Sequence, residues 1–210
     1  GGAILASVGA ALAFAVNALS YLGMIYVLWT WRRTADVRRL PPEGVFNAIG
    51  TGLRFIRLSP PVVAILVRSA AFGFCGSAIW ALMPIVARDG VHGGPLAYGF
   101  LLGGFGAGAI VGALSRKHIS ASRKVIAHYC SLAFALATVL VSICPWLLPS
   151  IVLLGVAGAA WILMLTGLGV AIQLTTPRWV VGRAIAVNQM SLFAGMASGS
   201  LLWGSVALHL

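Results

Sequence analysis

Positive charge in this chain is confined to short segments that alternate with long apolar runs. Twelve of the fourteen Lys and Arg residues lie in three segments, 32–57, 116–124 and 178–183. The connections between them hold only the neighbouring pair Arg88 and Asp89 and the uncharged stretch 145–149. Loops on the cytoplasmic side of membrane proteins carry an excess of Lys and Arg. The pattern therefore predicts a chain that crosses a membrane several times, with all three basic segments on the cytoplasmic side.

The composition excludes a soluble domain. Apolar residues make up 60% of the chain and charged residues only 8%, whereas soluble domains contain about a quarter charged residues. A net charge of +11 can indicate a nucleic-acid partner, but here the charge lies in short loops between segments too apolar for water. We therefore expect the basic segments to face the anionic inner leaflet of the cell's inner (plasma) membrane, and we expect no nucleic-acid partner.

The residues that build metal and cofactor sites show no suitable spacing. Cys75, Cys130 and Cys144 lie within apolar runs and form no CxxC pair, so we interpret them as small buried side chains. The four His residues are scattered along the chain. No HExxH motif and no pair of intramembrane aspartates occurs, which argues against a membrane protease. We predict no metal, no cofactor and no enzymatic activity.

Spans of about 20 apolar residues divide the chain into six full membrane-spanning helices. The tail of a preceding span would lie before Gly9. We place the six full spans at 10–31, 61–87, 95–114, 125–144, from 150 onward, and 184–208. Six spans bring all three basic segments to one side, in agreement with the charge pattern.

The segment 32–60 is predicted to hold a short helix at the membrane surface. The sequence Leu40-Pro41-Pro42 interrupts any continuous helix. Beyond it, apolar residues recur at helical spacing: Val45, Ile49, Leu53 and Ile56, with Phe46 beside them. We predict that this helix lies in the plane of the headgroups, where Arg54 and Arg57 reach lipid phosphates.

Glycines crowd two of the predicted spans. Gly104, Gly108 and Gly112 lie on one helical stripe, and Gly195 and Gly199 form a second pair at the same spacing. Helices in lipid associate by close packing, which glycine permits, so we predict that these residues are helix contacts. Whether the contact is static or a surface along which helices slide remains open. A phosphate-binding loop is excluded because no strand precedes the glycines and no Lys-Ser/Thr follows.

Arg68 and Asn17 are the candidates for a substrate cavity. Arg68 lies within a span, about 10 Å along the helix from Pro61. It could extend to the cytoplasmic interface, or it could line a cavity for an anionic substrate. Asn17 could bond to a neighbouring helix or face the same cavity. No Asp or Glu lies in the middle of a span, so a proton relay would need a carboxylate elsewhere, or a His such as His128.

Four segments resemble the seventh and eighth helices of a major facilitator superfamily transporter. Their sequences are FIRLSPP at 55–61, RSAAFGF at 68–74, LMPIVAR at 82–88 and YGFLLGGFGAG at 98–108. Within that superfamily the chain most resembles the branch of enterobactin-exporter-like proteins, the transmembrane secretion effectors.

Two cytoplasmic loops also resemble that branch. Segments 177–183 and 199–204 resemble the loop between its tenth and eleventh helices and the eleventh helix itself. Gly112 and Arg116 occupy the place of the superfamily's Gly-x-x-x-Asp-Arg loop, in which Ser115 here replaces the acid. Gly182 and Arg183 match the last two residues of an Arg-Gly-Arg pattern.

The resemblance implies an all-α membrane protein with the major facilitator helix bundle, mainly its C-terminal half. Residues 1–31 would be the end of helix 5 and helix 6 of the N-terminal half. Residues 32–60 would be the cytoplasmic central loop with its interfacial helix, and residues 61–210 would be helices 7 to 11. Because the chain also begins with Gly-Gly in an apolar run, we expect a fragment whose partner, helices 1–4 and 12 of the same transporter, is missing.

The function that the resemblance implies is secondary active transport. We expect proton-coupled efflux of small amphipathic molecules such as drugs or siderophores through a cavity near the bilayer midplane. Two alternatives stay open. One is a lipid or lysolipid translocase on the same scaffold, and the other is a membrane scaffold subunit that transports nothing.

The predicted topology can be tested by labelling cysteines in whole cells, in a background without the native cysteines. Ser122→Cys should resist a membrane-impermeant thiol reagent, because Ser122 lies in a basic segment assigned to the cytoplasm. His92→Cys should react, because His92 lies in the weakly charged connection on the other side. The opposite pair of results would reverse the orientation.

Overall fold

The computed structural model describes residues 10–31, 44–119 and 122–209, which form helices joined by short turns. The fold class predicted from sequence, an all-α membrane protein, is confirmed. The helices are α1 Ala10–Thr30, α2 Val45–Arg57, α3 Pro60–Ile85, α4 Gly94–Ser115, α5 Arg123–Ile143, α6 Leu147–Thr175 and α7 Val181–His209. A π-helical turn, Val86–Gly90, extends α3, and a 3-10 turn, Arg116–His118, extends α4.

Five of the six predicted spans correspond to helices long and apolar enough to cross a membrane, namely α3 to α7. The remaining prediction, 10–31, coincides with α1, whose described apolar part, Phe14–Thr30, is shorter than the other five. It therefore stays a prediction as a full span. The predicted end of a preceding helix before Gly9, and the sequence 32–43 with its double proline, lie outside the described residues.

The connection between α5 and α6 is shorter than predicted. We expected a loop over 145–149, but α5 ends at Ile143 and α6 begins at Leu147. Pro149 thus lies in the first turn of α6, where its missing N–H has no helical partner to lose. Ser150 stabilises this start by donating a hydrogen bond of 2.9 Å to the Trp146 carbonyl.

The spanning helices form two parallel pairs, α3 with α7 and α4 with α6, and α5 packs antiparallel to α6. In the first pair, Gly73 lies against Leu192 and Gly199 lies against Phe74. Residue numbers therefore rise in the same direction along both helices. This arrangement brings the described parts of the three basic segments to one end of the bundle. The described basic residues there are Arg54, Arg57, Arg116, Lys117, Lys124, Arg178 and Arg183.

At the opposite end of the bundle, the positive charge of Arg88 is balanced by the negative charge of Asp89. Arg88 donates hydrogen bonds of 2.8 Å and 2.9 Å to the Asp89 carboxylate, and both side chains are largely exposed. The charge asymmetry read from the sequence is therefore an asymmetry between the two ends of the fold. Which end is cytoplasmic stays a prediction.

An aromatic cluster around Trp161 joins α3, α5 and α6. The Trp161 ring centroid lies 5.0 Å from that of Phe72 and 5.8 Å from that of Phe134. Gly76 makes room for the indole, since a Cβ there would lie 2.5 Å from the Trp161 ring. Trp80 adds a ring on the α4 side, 5.1 Å from Phe105. Such close contacts provide dispersion energy, the main source of attraction between helices in lipid.

The glycine stripe of α4 lies directly against the backbone of α6. A Cβ on Gly104 would lie 2.7 Å from the Ile151 carbonyl oxygen, and one on Gly112 would lie 2.7 Å from Cα of Ala159. A Cβ on Gly108 would overlap the Gly155 carbonyl. These three glycines therefore let two backbones approach to a distance that any side chain would prevent.

The second pair of glycines serves the contact between α3 and α7. A Cβ on Gly195 would overlap the Ala70 carbonyl, and one on Gly199 would overlap the Phe74 carbonyl. Trp203 closes the same contact by donating its indole N–H to the Phe74 carbonyl at 3.1 Å. Each parallel pair is thus held by glycines that face main-chain atoms of the neighbouring helix, and both helices contribute them, as Gly73 of α3 and Gly158 of α6 show.

We expect Gly108→Leu to destabilise the protein by about 3 kcal/mol, the upper part of the range for overpacking, because a backbone carbonyl cannot move aside as a side chain does. Thermal unfolding in detergent measures the effect. Gly106→Leu is the matched control, since Gly106 has open space within 4 Å of its Cβ position. Equal behaviour of the two variants would contradict the tight contact.

Candidate functional site

Arg68 lies on an exposed face of α3 that it shares with three small residues and with Val67, which is 61% exposed. Ala64, Arg68, Ala71 and Cys75 are all exposed and follow one another at helical spacing. The opposite face of α3 is buried against the neighbouring helices and includes Ser69, Phe72 and Gly73. We call the exposed residues 64, 68, 71 and 75 the small-residue face.

The exposed face of α5 has a different composition. Most of it is formed by large aliphatic side chains that are 44% to 71% exposed, with exposed Ser131, Ala135 and Ser142 between them: Leu132, Leu136, Val139, Leu140 and Ile143. Lipid tails are as apolar as leucine, so large aliphatic residues suit contact with lipid, whereas small residues are enriched where protein meets protein. Because the aliphatic share is larger on α5, we expect α5 to face lipid and the small-residue face of α3 to face other protein or an aqueous cavity.

The position of Arg68 fits a cavity at this face. The residue is eight positions into α3, which places its Cα about 12 Å from the start of the helix. Charged residues within membrane spans usually point toward a bundle interior or a water-filled cavity. At this depth the guanidinium would be a fixed positive charge with several hydrogen-bond donors. That group can bind a carboxylate or phosphate through two parallel hydrogen bonds.

A cavity that we call the polar cavity lies between α3, α6 and α7 and is open to the surface at the exposed Gln173 and Gln189. Its volume is about 110 Å³. Ser69 donates a buried hydrogen bond of 2.6 Å to the Asn188 side-chain carbonyl across this space. Gln173 and Gln189 complete the polar lining, and the other lining residues are aliphatic or glycine.

The polar cavity can hydrogen-bond but cannot carry charge. Its four polar side chains are a hydroxyl and three amides, and none of them titrates near neutral pH. It can hold ordered water or a neutral polar group, but it cannot pass a proton through an ionised side chain. Among the described residues, no group of three or more His, Cys, Asp or Glu could hold a metal ion.

The sequence analysis did not predict the pairing of Ser69 with Asn188. The two residues are 119 positions apart, and Ser69 gave no sequence signal among the surrounding apolar residues. Asn188 did give a sequence signal, because an amide in an apolar span usually bonds to a neighbouring helix. Its partner could be found only once α3 was placed beside α7.

Asn17, the other candidate for the substrate cavity, lies apart from Arg68. It is exposed on α1, whose described side chains are all exposed. Its main-chain carbonyl accepts a hydrogen bond of 2.6 Å from Ser20 in the same helix. The structure therefore does not bring Asn17 and Arg68 together within the described residues, and the role of Asn17 in a cavity stays a prediction.

The loop motif after α4 is stabilised locally. Gly112 is buried against Ala159 of α6. Ser115, which replaces the acid of the family pattern, donates to the Val111 carbonyl at 2.7 Å within its own helix. Arg116 donates to the Ile119 carbonyl at 3.3 Å. The arginine thus stabilises the turn through a main-chain contact.

The second loop motif contacts α2. Gly182 has open space around it, whereas the aliphatic part of Arg183 lies against Gly52, where a Cβ would be 2.9 Å from Arg183 Cδ. Phe55 of α2 packs edge-on against Trp179, with the ring centroids 5.7 Å apart. The loop between α6 and α7 therefore forms the docking point of α2.

Comparison with known proteins gives one match. A family model described as transmembrane secretion effector matches residues 1–210. No match was found among curated proteins or among solved structures.

Cys75 was interpreted from the sequence as a buried side chain, but it is exposed and therefore provides a native reporter of the small-residue face. If this face lines an aqueous cavity, Cys75 should react with a charged, water-soluble thiol reagent in membrane vesicles, because only the hydrated thiolate reacts. Leu136→Cys in a background without native cysteines is the matched control, since it lies at similar depth on the aliphatic face of α5. We expect rapid modification of Cys75 and little of the control. An unreactive Cys75 would contradict an aqueous cavity at this face.

Proposed function

The chain belongs to the transmembrane secretion effector family of the major facilitator superfamily, and from that premise we propose that it forms part of a proton-coupled exporter of small amphipathic molecules in the inner (plasma) membrane. Family membership makes the protein a multi-pass membrane transporter for small molecules, in contact with the lipid bilayer. The direction of transport, the coupling ion, the substrate class and the choice of membrane belong to the proposal.

One observation supports a transport role for this part of the chain. Arg68 is exposed on the small-residue face of α3, within a membrane span, rather than packed among other helices. In this superfamily the substrate cavity lies between two halves near the bilayer midplane. We assign the small-residue face to that cavity, with Arg68 as the contact for an anionic group of the substrate.

The glycine contacts support a mechanism in which helix pairs move as units. Gly108 and Gly199 each sit against a main-chain carbonyl, so α4 with α6 and α3 with α7 form two tightly packed pairs. Alternating access in transporters of this kind is largely rigid-body movement around a fixed site. Tight pairs would transmit such movement from the loops at one end to the small-residue face.

The proton carrier is proposed to lie outside the described helices of this chain. Asp89 is the one acidic residue in the described helices α3 to α7 and the turns that extend them. It is paired with Arg88 at the end of the bundle opposite the basic residues. His128 is exposed in the second turn of α5, close to the basic end. Neither group lies near the midplane, where a relay between the two membrane faces would need one.

A lipid or lysolipid translocase is the second candidate. The supporting observation is again the exposed Arg68, which a phosphate headgroup would suit as well as a soluble anion. The two candidates differ in the molecule that Arg68 binds. They can be separated by the probe that the protein moves.

Arg68 can be tested in everted vesicles that hold a transport-competent form of the protein. We expect an imposed proton gradient to drive uptake of a fluorescent amphipathic anion, with matching proton movement reported by a pH-sensitive dye. Arg68→Ala should reduce uptake by about tenfold or more, because one charge-assisted contact is worth roughly 1.5–3 kcal/mol. Arg68→Lys should recover only part, since lysine lacks the planar fork.

The control variant is Lys117→Ala, which removes an exposed charge from the turn after α4 and should leave uptake unchanged. Uptake of the anion that is insensitive to Arg68→Ala would remove Arg68 from the substrate site. Inward movement of a fluorescent phospholipid without uptake of the soluble anion would favour the translocase. If neither probe moves in vesicles that contain folded protein, the export proposal fails.

A further inference from the structure

Helix α2 has two apolar faces, of which the bundle uses only one. The face toward the bundle consists of Gly52, Phe55 and Ile56, which contact the loop between α6 and α7 and the start of α3. A second apolar strip lies about a quarter turn away on the helix. It consists of Phe46, Ile49 and Leu53, which are 89%, 51% and 47% exposed.

This arrangement differs from the sequence prediction in one respect. Ile56 was expected on the same stripe as Ile49 and Leu53, but it is 5% exposed and belongs to the core of the bundle. The reason is its place at the C-terminal end of α2, where the helix meets α3. The exposed strip is consequently shorter, and it includes the most exposed of these residues, Phe46.

Two arginines flank the exposed strip. Arg54 and Arg57 occupy the last turn of α2 and are exposed, and α2 contains no acidic residue. Trp179, the docking partner of α2, is 48% exposed at the same end of the bundle, and tryptophan is enriched at the level of lipid headgroups. An apolar strip bordered by cations, at the end where the spanning helices emerge, matches the surface of an anionic leaflet in both apolarity and charge.

We propose that the exposed strip of α2 binds the surface of an anionic lipid leaflet, with Phe46, Ile49 and Leu53 inserted among the acyl chains and Arg54 and Arg57 on the headgroup phosphates. The other face of α2 remains packed against the bundle, where Phe55 contacts Trp179 and Gly52 contacts the side chain of Arg183. Because Gly52 lies against Arg183, the position of α2 on the leaflet is linked to the start of α7.

The test uses the full chain reconstituted into vesicles, with the three native cysteines replaced by alanine. An environment-sensitive dye is attached at Phe46→Cys, or at Thr51→Cys as the matched control. Thr51 is exposed on the opposite side of α2. In vesicles of phosphatidylcholine with phosphatidylglycerol, the dye at position 46 should report an apolar environment and the dye at position 51 should report water.

Charge dependence identifies the lipid headgroup. One arginine near an anionic surface contributes about a fivefold preference, so the double variant Arg54→Gln/Arg57→Gln should weaken the preference for anionic vesicles by up to about 25-fold. The fraction of phosphatidylglycerol at half-maximal dye response then rises. Added salt should have the same effect, because it screens surface charges. Lys117→Gln/Lys124→Gln removes two exposed charges at the same end and should leave the response unchanged.

Three results would overturn the proposal. The dye at position 46 could report water in both kinds of vesicle. Its response could be equal in anionic and zwitterionic vesicles. Finally, the response could rise with the ratio of protein to lipid regardless of lipid charge, which would show that a second copy of the chain, rather than the leaflet, covers the strip.

Discussion

The fold depends on backbone contacts that only glycine permits. In lipid the burial of apolar side chains gives helices little reason to associate, because the surrounding tails are equally apolar. Association then rests on packing, and packing is closest where Gly108 meets Gly155 in one pair and where Gly195 meets Ala70 in the other. These contacts select the parallel pairs, α4 with α6 and α3 with α7. The pairs in turn determine which residues point inward and which remain exposed.

The same rule makes the exposed small-residue face of α3 informative. Small residues inside the bundle are accounted for by the helices packed on them. Ala64, Ala71 and Cys75 are exposed instead, on a helix that also carries Arg68 within a span. Large aliphatic residues form most of the exposed face of α5, the composition expected of a helix that faces lipid. The contrast directs attention to α3 as the side of the bundle on which a transported molecule would be bound.

Helix α2 connects the membrane surface to the bundle. Its contacts through Gly52 and Phe55 reach the loop before α7, and α7 is packed along α3 over its glycine contacts. A displacement of α2 would therefore be passed to the helix that carries Arg68 through close contacts.

The sequence by itself determined the helical class, five of the spans and the grouping of basic residues, because a span needs a minimum apolar length and the positive charges avoid one side. It also singled out the glycine stripe, since the spacing of residues on a helix is fixed by its geometry. The tertiary structure decided which helix each stripe meets, that Ser69 bonds to Asn188, and that Ile56 turns into the core while Phe46 stays exposed. These contacts either connect residues that are far apart in the chain or depend on which face of one helix is packed. The local periodicity of the sequence contains no information about long-range contacts or about which apolar face is buried.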